Sequence, residues 1–345
     1  MYVAHSLARS SVRCGAVRFR IQSGWPQRMR AMPEVVCEME MTTLGKTGLK
    51  VSRLGVGLVE IGFQLTGDKV QQAGHILNAA LDGGINFLDT AECYGVSEEL
   101  IGQTVAHRRH EFVLATKTGH AAGDYTGKPW TADAVRHSIE RSLRRMKTDY
   151  LDIVQLHAYD VFGLAPGDVI QAALEAKRAG KVRFVGYSQE NAEALWAVES
   201  GLFDTLQTAF SIVDQKARYE IFPKAMARGM GIIGKRPIAN AMWGRPMAPK
   251  DYYGGDGVAE QYAARSALML ADSPIPGAPP NNVLTSLGFV LGHPEVHTSI
   301  VGTRNAEHMK SNVEMVNTQL PLPKETIEEL HRRYDNVGRH WRSID

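Results

Sequence analysis

The chain is poor in cysteine and in net charge, and each shortage excludes a class of protein. Three cysteines, Cys14, Cys37 and Cys93, occur among 345 residues, at spacings that fit neither a disulfide framework nor a structural zinc site. Lys and Arg number 39 against 37 Asp and Glu, and the resulting formal charge of +2 is too small to favour a nucleic acid or an anionic membrane as a partner. We therefore expect a protein of a reducing compartment that binds no nucleic acid.

Long uninterrupted apolar segments are also missing. The charge-free stretch from Ser273 to Pro294 contains Pro274, Pro276, Pro279 and Pro280, which argue against a membrane-spanning helix. Because 44% of the residues are nevertheless apolar, the chain can bury a full core. We expect a globular protein that does not associate with a membrane.

The first 33 residues differ from the rest, because they contain six arginines, several serines and no Asp or Glu. This composition is typical of an organellar transit peptide, but an upstream start codon gives the same composition, and Met39 and Met41 both precede the first ordered motif. Both interpretations stay open. The expected location is the cytoplasm, or an organelle if residues 1–33 are a transit peptide. We place residues 1–40 in an N-terminal extension and residues 41–345 in a single domain.

Short β-branched apolar runs alternate with amphipathic stretches from about Leu44 onward, which is typical of repeated βα units. The predicted strands are Arg53–Gly57, Ile85–Asp89, Phe112–Lys117, Leu151–His157, Val182–Tyr187, Thr205–Phe210, Gly231–Lys235 and His297–Val301. The predicted helices include Val70–Leu81, Ala132–Met146, Val169–Ala179, Asn191–Glu199 and Lys324–Tyr334. Eight such units predict an α/β protein with a (β/α)8 TIM barrel, and no G-x-G-x-x-G motif suggests a doubly wound sheet.

Four further segments flank or interrupt the predicted barrel. Residues 42–51 contain glycines in a turn region and predict a β-hairpin that closes the bottom of the barrel. The insertions Met242–Val258 and Ser273–Asn282 exceed ordinary loop length, and we interpret them as functional lids. The basic segment Arg339–Asp345 is expected to be a solvated tail.

Polar side chains stand where three predicted strands end, which is where barrel enzymes place their chemistry. The second strand ends at Asp89 and is followed by Tyr94, the third ends at Lys117, and the fourth ends at His157. We expect these four side chains to converge on the same opening. No group of His, Cys, Asp and Glu has the spacing of metal ligands, so no metal is expected.

These residues and their flanking sequences resemble the aldo-keto reductase family over nearly the whole of Leu44 to Asn336. The resemblance is carried by three segments, residues 84–91 (GINFLDTA) followed by Tyr94-Gly95, residues 115–117 (ATK), and residues 149–157 (DYLDIVQLH). The four polar residues are separated by 5, 23 and 40 positions. The broad aldehyde reductases and the aldose dehydrogenases are the branches that remain open.

The resemblance implies an NAD(P)-dependent oxidoreductase that acts on CH–OH groups. Hydride passes between NADP, or possibly NAD, and an aldehyde, a ketone or an aldose, in a direction that the sequence does not encode. Tyr94 is then the proton donor, Lys117 lowers the pKa of its phenol, Asp89 orients Lys117, and His157 donates a hydrogen bond to the carbonyl oxygen. The expected state is a monomer or a weak homo-oligomer.

The resemblance also implies two groups of cofactor-binding residues. Ser188 and Gln207 correspond to residues that contact the nicotinamide carboxamide, while Lys235 and Arg236 end the seventh strand where many relatives have a stacking aromatic residue. The second group follows the eighth strand and binds the adenosine phosphate and adenine; it comprises Gly302, Thr303, Arg304 and Asn312. Gln189 and His308 depart from the Asn and Arg that are common in the family. Because a guanidinium can bind two phosphate oxygens, Arg304 favours NADP over NAD.

Three further hypotheses remain open from the sequence. A cofactor-binding regulatory subunit could use the same barrel without turnover, and a barrel aldolase could use Lys117 as a Schiff-base nucleophile. Cys93 is either a reactive, partly ionised thiol or an inert packed one. The aromatic candidates for lining a substrate pocket are Phe63, Tyr125, Trp130, Trp243, Tyr252 and Tyr253.

Overall fold

Eight parallel strands close into a barrel in the computed structural model, which describes residues 38–65, 69–158, 160, 164, 167–245, 257–272 and 274–344. After the short strands β1 (Met41–Thr43) and β2 (Lys50–Ser52), the barrel strands in chain order are β3 (Leu54–Gly57), β4 (Phe87–Asp89), β5 (Val113–Thr118), β6 (Leu151–His157), β7 (Val182–Ser188), β8 (Thr205–Ala209), β9 (Gly231–Lys235) and β10 (Thr298–Val301). Strand β10 pairs with both β3 and β9, which closes the barrel. The predicted TIM barrel is confirmed, and each strand lies within two residues of its predicted bounds.

Helices cover the outside of the barrel and bury one face each. Their bounds are Val59–Gln64, Val70–Asp82, Ser97–Thr104, Ala132–Met146, Asp168–Arg178, Asn191–Ser200, Ile221–Ala227, Val258–Met269, Asn282–Leu291, Ala306–Gln319 and Lys324–Val337. The helix Ala132–Met146 begins where the Thr131 side chain accepts a hydrogen bond from the N–H of Ala134, as an N-cap residue does. In the described part of the chain, none of these helices is long and apolar enough to cross a bilayer.

The hairpin of β1 and β2 closes one end of the barrel, as the sequence predicts. The two strands pair antiparallel, and the turn between them places Leu44 and Leu49 in a buried cluster with barrel residues such as Phe87 and Ile153. A side chain on Gly231 would collide with Leu44, whose atoms lie 2.7 Å from an added Cβ. Because the strand amino ends are covered in this way, the carboxyl ends form the accessible opening.

The insertion that precedes helix Asn282–Leu291 packs against the terminal helix, and this arrangement does not support the prediction of a lid. The Thr326 hydroxyl donates to the carbonyl of Pro276 at 2.8 Å, and Arg333 donates to the carbonyl of Pro274 at 3.5 Å. This segment therefore links the barrel to its last helix. Most of the other predicted lid, residues 246–256, lies outside the described residues.

The C-terminal tail is docked on the barrel, so the prediction of a solvated end is wrong for its last described residues. Ser343 and Ile344 are buried. The Ser343 hydroxyl and the Ile344 N–H donate to the two carboxylate oxygens of Asp214 at 2.7 and 3.1 Å. The apolar Ile344 side chain and the buried Asp214 carboxylate together outweigh the basic character of the segment.

Candidate active site

The four side chains predicted from the strand ends meet at the open end of the barrel. The Lys117 Nζ lies 2.5 Å from Oδ2 of Asp89, and it also donates to the carbonyl of Thr90 at 2.8 Å. The same Nζ lies 4.9 Å from the centroid of the Tyr94 ring. The ring of His157 meets the ring of Tyr94 edge to face, with 5.9 Å between the two centroids. Asp89 and Lys117 are each only 1% exposed, so their charges are compensated chiefly by each other.

The Asp89 carboxylate is held by more partners than the sequence indicates. Its Oδ1 accepts from the side-chain amides of Gln155 at 3.1 Å and Gln207 at 2.8 Å. The Ser188 hydroxyl donates to the other end of the Gln207 amide at 3.4 Å. Ser188 and Gln207, both predicted from the family resemblance, are therefore linked to Asp89. Gln155 was missed, because a glutamine inside a buried strand gives no separate signal.

Burial decides the protonation state of the candidate acid. It raises the pKa of Tyr94 to about 12, although the Lys117 ammonium acts in the opposite direction. The sequence predicts a lowered pKa for this phenol, and the net shift is the reverse. Burial also works against the Lys117 ammonium, but the Asp89 carboxylate outweighs it and leaves the pKa of Lys117 raised. A charged, ion-paired amine is a poor Schiff-base nucleophile, which argues against the aldolase hypothesis.

His157, which contacts Tyr94, is itself bordered by His120 and Cys93. Burial and the charges of Lys117 and Lys235 hold the pKa of His157 well below its usual value, and burial also lowers the pKa of His120. Both imidazoles are therefore uncharged at neutral pH. Burial raises the pKa of the Cys93 thiol to about 11, so the structure supports the inert alternative rather than a partly ionised thiol.

A buried glutamate fixes the loops that carry these groups. The Glu92 carboxylate accepts from the backbone N–H groups of Gly119 and His120, both at 2.7 Å, and from Arg141 at 3.2 Å. It thus ties the turn after β4 to the loop after β5. Neither Glu92 nor His120 stands out in the sequence, because the partners of Glu92 lie 27 to 49 positions away along the chain.

The fold also brings together three residues of metal-binding type, although their spacing in the sequence does not indicate a metal site. Ligand atoms of Cys93, His120 and His157 all lie within 4.8 Å of one another, and each of the three residues is partly exposed. The three stand in separate loops or strand ends, so no local motif joins them.

The second predicted group of cofactor residues lines a cavity of about 760 Å³. Gly302, Thr303, Arg304 and Asn312 all contribute to its wall, and so does His308. Further basic side chains in the wall, which the sequence analysis did not name, are Lys69 and Arg245. A cavity of this size with several cations at its wall is suited to a phosphate-bearing ligand.

One acidic residue of the same cavity was also missed. Glu60 lies so close to Gly302 that a Cβ added there would be 1.9 Å from the carboxylate, so any larger residue at position 302 would have to displace the Glu60 side chain. Burial raises the pKa of Glu60, while the charge of Arg304 opposes the rise. The carboxylate therefore lies among the groups expected to meet the phosphate.

Lys235 and Arg236 have partners within the protein. Lys235 Nζ lies 2.8 Å from Oε1 of the buried Glu190, and burial lowers the pKa of this lysine. Arg236 adopts a left-handed backbone conformation with φ of 57° and donates to the carbonyl of Ile344. Both residues adjoin the barrel opening rather than line the cavity around Gly302.

Of the aromatic pocket candidates, two border the opening. The ring of Phe63 is 6.2 Å from that of Tyr94, and the ring of Trp130 is 5.5 Å from that of His120. Tyr125 instead contacts His137. Trp243 is buried in the core, and Tyr252 and Tyr253 lie outside the described residues.

Comparison with known proteins gives one consistent result. Residues 53–334 match the family model described as the Aldo/keto reductase family. The chain is 30% identical to the uncharacterized oxidoreductase YrpG of Bacillus subtilis (strain 168), over 87% of this chain and 97% of that protein. It is 27% identical to the L-galactose dehydrogenase of Arabidopsis thaliana, over 85% of this chain and 93% of that protein. The structure superimposes on the holo form of the aldo-keto reductase AKR11C1 from Bacillus halodurans with a TM-score of 0.71 and 26% sequence identity. The superposition covers 86% of this chain and 96% of that one.

Proposed function

Because the chain belongs to the aldo/keto reductase family, we propose that it transfers hydride between NADP(H) and a small aldehyde, ketone or aldose. The observation that carries this proposal is that Lys117, which contacts Asp89 at 2.5 Å, and His157 both lie against the ring of Tyr94. The arrangement offers a proton donor and a hydrogen-bond donor to the same oxygen atom.

The roles of the four residues follow from their protonation states. Tyr94 is protonated at neutral pH and gives its phenolic proton to the carbonyl oxygen during reduction. Lys117 stabilises the phenolate that this transfer leaves behind, and Asp89 keeps the ammonium charged and in place. The uncharged His157 donates a ring N–H to the carbonyl oxygen and so positions the carbonyl carbon for attack.

NADPH, when bound, supplies the hydride. The residues at positions 302–304, with Asn312, His308, Lys69 and Arg245, fit its phosphate-bearing half, because they combine a glycine that allows close approach with several cations. Ser188 and Gln207 fit the carboxamide, since both present polar atoms beside Asp89 at the opening. Lys235 and Arg236 stand next to this end of the cofactor in the same proposal.

The substrate is a small carbonyl compound or sugar that enters between Phe63 and Trp130. These rings offer apolar faces, and His120 next to Trp130 adds a polar one. The relative from Arabidopsis thaliana, an L-galactose dehydrogenase, supports inclusion of aldoses among the substrates to be tested.

The proposal is tested by a spectrophotometric screen of NADPH and NADH oxidation with aldehydes and ketones, and of NADP and NAD reduction with aldoses. We expect turnover with at least one carbonyl or aldose class and a preference for the phosphorylated cofactor. Tight NADPH binding without turnover on any of these compounds would contradict the proposal and favour the regulatory-subunit alternative.

A further inference from the structure

Three ligand-type side chains form a compact group beside the proposed proton donor. Sγ of Cys93 lies 3.9 Å from Nδ1 of His157, and the rings of His120 and His157 meet edge to face with 5.0 Å between centroids. All ligand atoms of the three lie within 4.8 Å of one another. From this geometry we infer that Cys93, His120 and His157 bind a thiophilic divalent cation, best matched by Zn²⁺, and that the bound ion excludes the carbonyl substrate.

The separation of Cys93 and His157 is close to that required by a tetrahedral ion. Zinc bonds of about 2.3 Å to sulfur and about 2.0–2.1 Å to nitrogen place the two ligand atoms about 3.6 Å apart at a tetrahedral angle. The observed distance of 3.9 Å between Sγ of Cys93 and Nδ1 of His157 exceeds this value by only about 0.3 Å. Three protein ligands leave the fourth position open, as in zinc sites that exchange water with other ligands.

The backbone that carries two of the ligands is fixed in advance. Glu92 directly precedes Cys93, and its carboxylate binds the N–H of His120 at 2.7 Å and Arg141 at 3.2 Å. This bridge keeps the thiol and the imidazole on neighbouring loops at the same distance before any ion arrives. Preorganisation of this kind reduces the ordering cost of binding.

The chemical state of the ligands is suited to the ion. Imidazole nitrogen and thiolate sulfur are the ligand atoms that Zn²⁺ most often takes in proteins. On binding, the ion replaces the proton of the Cys93 thiol, which is released to solvent. All three residues are partly exposed, which gives the ion a path from solvent.

The consequence goes beyond the proposed hydride transfer. An ion held by His157 lies beside the ring of Tyr94, where the carbonyl group must approach, so binding of the ion and of the substrate are mutually exclusive. The metal site therefore predicts reversible inhibition that is competitive with the carbonyl compound.

The test is isothermal titration calorimetry of the full chain with ZnCl₂ after treatment with a chelator, supported by the ultraviolet charge-transfer band of a cadmium thiolate when CdCl₂ is used. The matched control is the double variant Cys14→Ser/Cys37→Ser, which keeps Cys93 as its remaining cysteine. The test variants are Cys93→Ser and His120→Asn, neither of which alters a proposed catalytic group.

We expect one ion per chain in the wild type and in the control, and an affinity at least about 100-fold weaker in Cys93→Ser because one of three ligands is lost. His120→Asn should also weaken binding, and the cadmium band should vanish in Cys93→Ser alone. Unchanged zinc affinity in Cys93→Ser, or no binding by the wild type at millimolar zinc, would overturn the site. Because binding is measured directly, the result stands whether or not the protein turns over a carbonyl substrate.

Discussion

Replacement of Asp89 by Asn separates the catalytic from the structural role of the buried ion pair. Asp89 uses Oδ2 for Lys117 and Oδ1 for the amides of Gln155 and Gln207. An asparagine has one acceptor oxygen and one NH₂ group, and the NH₂ group cannot accept a hydrogen bond. Either the Lys117 ammonium or the amides of Gln155 and Gln207 therefore lose their acceptor. Breaking a buried pair from one side costs about 3–5 kcal/mol.

Two measurable losses follow from this change. The melting temperature should fall by roughly 6–20 °C, given about 2–4 °C for each kcal/mol in a large domain. In addition, burial of Lys117 would act without its main counter-charge and lower the pKa of the ammonium, which weakens stabilisation of the Tyr94 phenolate. We expect kcat to fall by about 10- to 100-fold, equivalent to one to two pKa units of lost interaction.

Asp152→Asn is the matched control for this experiment. Asp152 is also a buried strand aspartate with three donors, Arg109 at 2.7 Å, Arg183 at 2.6 Å and the N–H of Leu114 at 2.9 Å, but it lies near the start of β6, away from the opening. It should lose similar stability and keep its kcat, as measured by thermal unfolding and by NADPH consumption at a temperature where both variants are folded. Wild-type kcat in Asp89→Asn, or an equal loss in Asp152→Asn, would refute the reasoning.

Three further predictions concern pH, the cofactor and the tail. Because burial raises the pKa of Tyr94 to about 12, its acid form persists below that value, and the rate of reduction should be constant from about pH 6 to about pH 9. The rate of oxidation, which needs the phenolate, should rise with pH. A rate of reduction that falls across neutral pH would contradict this expectation. Arg304→Ala should raise the KM for NADPH by about tenfold with little effect on the KM for NADH, since a charge-assisted phosphate contact is lost. Glu60→Gln should lower the KM for NADPH, because it removes a nearby negative charge. Equal effects of Arg304→Ala on both cofactors would assign Arg304 to a group that the two cofactors share. Deletion of residues 343–345 should destabilise the protein by about 2–4 kcal/mol in denaturant unfolding, because Asp214 and Arg236 lose hydrogen-bond partners. Arg342→Ala is the control and should leave the stability unchanged, because its side chain is exposed.

The strands and the four converging residues could be predicted because their signals are local. β-branched runs mark the barrel strands, and a polar residue at the end of a buried strand, such as Lys117 or His157, stands out from its neighbours. Parallel strands then bring these ends to the same edge without further information. The same reasoning yields the glycine turn at Gly302, which precedes a helix.

The missed residues depend on contacts that cross the chain. Gln155 lies in the middle of a buried strand, and only the folded barrel places its side chain against Asp89. Glu92 and Glu60 look like ordinary acidic residues until the backbone N–H groups of the next loop, or Gly302, are brought to them. The sign of the Tyr94 shift was wrong for a similar reason, because the sequence reveals the neighbouring ammonium but not the extent of burial.

Replacement of Tyr94 by Phe tests whether Tyr94 supplies the proton at a site that stabilises its phenolate. The experiment measures kcat for carbonyl reduction and the Kd for NADPH, by fluorescence titration, in the same preparation. We expect kcat to fall by at least about 100-fold while the Kd for NADPH changes less than about threefold, because only the proton donor is removed. A variant that retains near-wild-type kcat would contradict the account.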